Sequence, residues 1–180
     1  GDYLPHAIDP CVFYDDNGEL WLAYGSWSGG IYMIELDENT GLRDYSVQYP
    51  NIGEGTKGVT SDAYFGTKIA GGYYASGEGA YIEKIGDYYF LFMSYGFYSP
   101  EGGYTMRIFR SENPDGPYVD TRGTSAIYNN YVHNYDGTND NRGMKLMGNY
   151  RWSTMSKGEV AQGHNSAFVD TDGKAYVVYH

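Results

Sequence analysis

Apolar and polar positions alternate along this chain in short runs, and turn-forming residues cut each run off within about four to eight positions. The runs predict strands near 10–14, 20–25 and 30–36, then near 80–85, 87–95 and 104–111, then near 166–170 and 175–179. Turns fall at Asp16-Asn17-Gly18, Ser28-Gly29-Gly30, Ile85-Gly86-Asp87 and Asp172-Gly173, and Asp115-Gly116-Pro117 closes the second group. Residues 88–95 are apolar almost throughout, which reads as a strand buried on both faces. No window of a dozen residues carries a 3.6-residue period with caps, so the fold class is all-β.

The stretches 37–77 and 112–163 are less regular, and each is expected to hide a further strand of the group before it. Lys145-Leu146-Met147-Gly148 and Tyr150-Arg151-Trp152-Ser153 read as strand or turn pieces, while 123–142, rich in Asn, Tyr, Asp and Gly, reads as a long surface loop. Groups of antiparallel strands separated by irregular loops point to a β-propeller. The groups start 69 and then 86 residues apart, and the third stops after its second strand, so the chain is expected to hold about two and a half blades. Propellers typically need four or more. The expectation is therefore a fragment, or a chain completed by a complementary polypeptide segment. A sandwich is the alternative architecture, but it does not account for what leads each group.

Asp9, Glu78 and His164 stand nine, eight and nine positions ahead of the turn glycines Gly18, Gly86 and Gly173. A repeated scaffold sets equivalent residues around one axis, here two carboxylates and an imidazole. Taken singly, an Asp before Pro is a turn residue and a Glu before Gly a surface one; in a shared register they describe a site.

Charge and composition narrow the function. A net charge of −11 argues against nucleic acid and against an anionic membrane surface. Aromatics make up 18% of residues, with 22 tyrosines and 3 tryptophans, a set suited both to sheet packing and to stacking on sugar rings. Trp27, just past the second strand, fits either role; Tyr98 and Trp152 are weaker stacking candidates, and Trp21 alternates into the core. Cys11 is the only cysteine and reads as a buried thiol. No run approaches the roughly 18 apolar residues of a membrane helix. The opening residues read as mid-domain loop without a signal peptide, so any export signal is expected upstream.

His6-Ala7-Ile8-Asp9-Pro10, followed by Trp21-Leu22-Ala23-Tyr24-Gly25-Ser26-Trp27, resembles the family-43 glycoside hydrolases, and among them the arabinanases. Ser76-Gly77-Glu78-Gly79-Ala80 is similar to that family's general-acid strand, and Gln162-Gly163-His164-Asn165-Ser166 to its histidine strand. The resemblance implies a five-bladed propeller, with 1–180 an incomplete part of one catalytic domain. It further implies an inverting hydrolase that cleaves α-1,5-L-arabinofuranosidic links in arabinan or arabino-oligosaccharide, exported from a bacterium to the periplasm or the medium. Glu78 becomes the general acid, and Asp9 the carboxylate that raises the acid's pKa and orients the sugar. His6, Ser26 and Trp27 become substrate-binding residues. His164 comes near a calcium ion held mainly through water; on its own it reads as a hydrogen-bonded structural histidine, as do His6, His133 and His180. The family's general base is an aspartate ahead of these motifs. Asp2 does not fit its context and Asp62 reads as a loop acid, so the chain alone is expected to lack the base. A β-xylosidase or α-L-arabinofuranosidase of the same family, or a non-catalytic carbohydrate-binding propeller, are the competing readings.

Overall fold

The computed structural model describes residues 4–53, 59–131 and 141–180. Among them the chain forms strands and no helix, hence none long and apolar enough to cross a membrane. The strands are β1 (Cys11–Tyr14), β2 (Leu20–Gly25), β3 (Ile31–Leu36), β4 (Ser61–Asp62), β5 (Gly66–Ala70), β6 (Glu78–Ile85), β7 (Tyr88–Tyr95), β8 (Thr105–Ser111), β9 (Met144–Met147), β10 (Ser166–Val169) and β11 (Ala175–Val178). They build three antiparallel sheets: β1-β2-β3-β5-β4, β6-β7-β8-β9, and the hairpin β10-β11.

Local chemistry explains the hairpins. At the first turn, the Gly18 N–H donates to the Asp15 carbonyl at 3.1 Å. The Asp15 carboxylate accepts the N–H groups of Asn17 and Glu19 at 2.8 and 2.9 Å. Gly18 sits at φ +85°, a left-handed conformation that glycine adopts without steric cost. The third group repeats the device: Gly173, at φ +78°, donates to the Asp170 carbonyl. The expected hidden strands are β5, with its two-residue partner β4, and β9.

The middle sheet is covered on both faces. Leu91, Met93 and Tyr95 of β7 join Ala23, Ile31, Met33 and Ile69 of the first sheet in one core. Phe92, between them in sequence, packs with Met106 and Ala167 toward the hairpin. Alternate residues of one strand thus enter two different cores, which is why the run is apolar without a break. β6 lies against β1 and β2 on one side and β10 on the other, so the first strands of the three sheets are neighbours.

The reading of 123–142 as surface loop needs correction. Residues 132–140 lie outside the described ones, but Ala126 and Tyr128 are fully buried. The backbone holds them there: the Gly71 N–H donates to the Ala126 carbonyl and the Tyr128 N–H to the Gly71 carbonyl, at 2.9 and 3.0 Å. The Arg142 guanidinium covers the Tyr128 ring at 3.6 Å. Cys11 is buried as expected, and burial pushes its thiol up to about 11. Trp21 is in the core, with its indole N–H on the Asp15 carboxylate.

Candidate active site

The three leading residues come together. Glu78 opens β6, and Asp9 and His164 each stand two residues before a first strand. The Asp9 carboxylate accepts the Gly79 N–H at 3.1 Å. Its other oxygen lies 3.9 Å from His164 Nε2, an ion-pair distance when the imidazole is protonated and too long for a hydrogen bond. The His164 N–H donates to Ser94 Oγ at 2.7 Å. Asp9 and His164 line an open cleft of about 550 Å³ together with Gly79, Asn165, Tyr179 and His180. Glu78 does not line it, but its neighbour Gly79 does.

Backbone geometry at the cleft is unusual. Asp9, Trp27 and His164 all have positive φ, at +54°, +49° and +42°. Each costs a non-glycine residue about 1–2 kcal/mol, which the surrounding contacts must offset. The β6–β7 register breaks between Glu78 and Tyr81, a bulge that re-aims the start of β6. Gly79 allows it: its φ is +58°, and a Cβ there would come within 3.2 Å of the His164 ring.

The Glu78 carboxyl is held by side chains. Trp27 Nε1–H donates to Oε2 at 2.9 Å, and Ser26 Oγ reaches the same oxygen at 3.4 Å. The Tyr104 hydroxyl donates to Oε1 at 2.8 Å. Burial, and then the adjoining Glu78 carboxylate, push the Tyr104 hydroxyl above its ordinary pKa, so it remains a donor through neutral pH. The Tyr104 ring is fixed by Tyr98 edge-on at 5.7 Å and by the stacked His180 imidazole at 6.4 Å. Gly163 backs onto it, where a Cβ would fall 2.4 Å from the ring.

Of the residues expected to bind substrate, Ser26 and Trp27 touch Glu78, and Trp27 packs its ring on Phe97 at 5.2 Å. His6 is exposed and lines no part of the cleft. Tyr98 and Trp152 are mostly exposed, and Tyr98 stands edge-on to His180 at 5.2 Å. Asp62, read from the sequence as a loop acid, instead ends β4 and closes the turn that follows, accepting the N–H groups of Tyr64 and Phe65 at 2.7 and 3.0 Å. Asp2 and His133 lie outside the described residues. Sequence reasoning missed Tyr104, Ser94 and His180. The pairings Glu78↔Ser94 and Tyr95↔Thr105 put Tyr104 and Ser94 at the same end of the sheet as Glu78, a placement that depends on the strand register.

An all-β scaffold that sets two carboxyls, an imidazole and a tryptophan beside an open cleft has the parts of a carbohydrate-active site. The model of the glycosyl hydrolases family 43 matches residues 3–180, and the chain belongs to that family. It is 41% identical to an extracellular endo-α-(1→5)-L-arabinanase of Thermotoga petrophila, over 98% of this chain and 35% of that protein. It is 38% identical to extracellular endo-α-(1→5)-L-arabinanase 2 of Bacillus subtilis, over 98% of this chain and 36% of that protein. The crystal structure of a family-43 glycoside hydrolase, the YxiA protein of Bacillus licheniformis, superposes with a TM-score of 0.82 at 38% identity, covering 98% of this chain and 37% of that one. The chain thus spans about a third of the length of these relatives.

Proposed function

We propose that the chain is part of an exported inverting glycoside hydrolase that cleaves α-1,5-L-arabinofuranosidic links within arabinan. The observation that carries this reading is the meeting of Asp9, the start of β6 at Glu78, and His164 at one end of three sheets. Its alignment with extracellular arabinanases over nearly its whole length supports the substrate and the export. In this reading the sheets of five, four and two strands are successive blades of a five-bladed propeller, with 1–180 supplying about two and a half blades of a single catalytic domain. A complementary polypeptide segment supplies the rest, and with it the general base.

Inversion needs one carboxyl that gives a proton to the leaving oxygen and another that activates water on the opposite face, roughly 6.5–9.5 Å away. Glu78 takes the first role. Asp9 orients the sugar, its own carboxylate fixed by the Gly79 N–H. His6, exposed but not among the residues that line the cleft, would meet the sugar only outside it. A calcium ion near His164 fits the donor set only as a largely hydrated ion. Among the described residues no three His, Cys, Asp or Glu side chains gather to hold a metal, but Asp9 and His164 share the cleft with Asn165, whose buried amide has no hydrogen-bond partner. Bound there, the ion would add positive charge beside the carboxylates.

The test is product analysis on linear arabinan with the complete polypeptide. A ladder of arabino-oligosaccharides at early times is the expected result. Arabinose as the sole early product would replace endo by exo action, and release from aryl xylosides alone would move the substrate to xylose. No hydrolysis of any glycoside would leave only a carbohydrate-binding propeller.

A further inference from the structure

We propose that Tyr104 and Trp27 are positioning residues that sort the two oxygens of Glu78, reserving Oε1 for the proton that is transferred; this rests on the reading of Glu78 as the general acid. An indole N–H can only donate. Trp27 Nε1–H stands 2.9 Å from Oε2, so Oε2 must be an acceptor in every protonation state. The carbonyl oxygen of a carboxylic acid is its better acceptor, so in protonated Glu78 the hydrogen is left on Oε1.

At Oε1 the neighbour is a hydroxyl, which can turn. The Tyr104 O–H lies 2.8 Å away and donates to this oxygen once it is charged. When the proton moves from Oε1 to the glycosidic oxygen, negative charge develops on the atom that the tyrosine already faces. The donor therefore strengthens its bond as the reaction proceeds, the condition for lowering a barrier. Neither residue needs to touch the sugar. Both are preset: the Trp27 backbone is left-handed and tied by its N–H to the Gly77 carbonyl at 2.9 Å, and the Tyr104 ring is fully buried. Ser26, at 3.4 Å, adds a weaker contact to the oxygen that Trp27 already holds. The geometry thereby gives Trp27 a use other than stacking on a pentose.

The experiment compares leaving groups in the complete enzyme. Arabino-oligosaccharides need a proton on the departing oxygen, whereas a 2,4-dinitrophenyl arabinofuranoside departs without one. Tyr104→Phe and Trp27→Phe should each lower kcat on the oligosaccharide by about 10- to 100-fold with little change in KM, and leave the dinitrophenyl substrate within about twofold. Glu78→Gln should show the same split with a larger loss. Equal losses on both substrates, or none, in Tyr104→Phe would overturn the proposal. For Trp27→Phe a rise in KM with kcat unchanged would overturn its part, because that marks a residue binding the sugar. Both substitutions keep an aromatic ring, and the half-buried Trp27 supplies the answer should the buried Tyr104 variant fail to fold. If Glu78→Gln lacks the split, the acid assignment itself falls, and the proposal with it; if only the aromatic variants lack it, the acid stands and the sorting does not.

Discussion

Glu78 and Asp120 are two carboxyls of the same group of strands with opposite surroundings. Asp120 is buried to 1% side-chain exposure. It accepts the backbone N–H groups of Arg122, Thr124 and Gly143 at 2.8, 2.9 and 3.0 Å and the Arg122 guanidinium at 3.1 Å. Burial pushes its carboxyl up, but these donors outweigh it and hold the group at about 2. Glu78 is half-buried and held by an indole, a phenol and a serine, with no backbone N–H bonded to its carboxyl among the described residues. Backbone donors cannot turn away, so Asp120 is fixed as an anion that pins its turn. A hydroxyl can reorganise when a proton arrives or leaves. The difference separates a carboxyl fixed mainly by backbone donors from one held by side chains alone, and residue type alone does not distinguish them.

On the proposed reading of Glu78 as the general acid, the largest effect should come from removing its carboxyl. Glu78→Gln in the complete enzyme is expected to cost roughly 10²–10⁴ in the rate of arabinan cleavage and about 1 kcal/mol or less in stability. Initial rates alongside thermal melts check both halves. A rate near that of the parent protein would place Glu78 with Asp120 among the structural anions.

The converse substitution should reverse the pattern. Asp120→Asn puts an amide NH₂ where an oxygen faces fixed donors, and should lower stability by about 2–3 kcal/mol while the folded fraction keeps its activity. The effect should depend on pH. Because the folded-state carboxyl titrates near 2 rather than at its ordinary 3.8, its stabilisation is complete above about pH 4 and is lost as pH falls through about 2. Denaturant midpoints of parent and variant should converge across that window. A constant gap down to pH 2 would mean that shape, not charge, holds the turn.

The strands were legible wherever side chains alternate and a glycine closes the turn. Trp21, Ala23 and Gly25 run inward along β2, and Gly18, Gly86 and Gly173 all turn left-handed. The meeting of Asp9, the start of β6 and His164 was legible because the strand groups share one register ahead of their turn glycines. What stayed hidden is set by contacts across strands. Tyr104 is one tyrosine among 22, and only the β6–β7–β8 register gives it to Glu78. Tyr128 sits in a polar stretch whose composition outvotes it, although its N–H bond to the Gly71 carbonyl and its cover by Arg142 make it core. His180 needed the stacked ring of Tyr104 to show that it faces the cleft.

Lys68 extends the comparison to a buried charge with neither kind of support. It lies opposite Tyr32 on β5, 2% exposed, and its Nζ has no hydrogen-bond partner among the described residues. The Tyr32 ring, centred 5.5 Å away, offers the cation some compensation. Burial pulls the amine down from 10.5 to about 8. Between pH 8 and 10.5 the unfolded chain holds a proton here that the folded chain has released, so this group makes stability rise with pH across that window. Below pH 8 the folded chain bears the full cost of an unpaired ammonium. Lys68→Met keeps the apolar stem and removes the charge, and should stabilise the protein by about 1 kcal/mol at pH 7 while flattening the rise toward pH 10. Urea midpoints at the two pH values measure it. A variant less stable than the parent at pH 7 would show that an uncharged stem fills this site worse than the amine does, and that a buried charge here can do without the fixed donors that Asp120 requires.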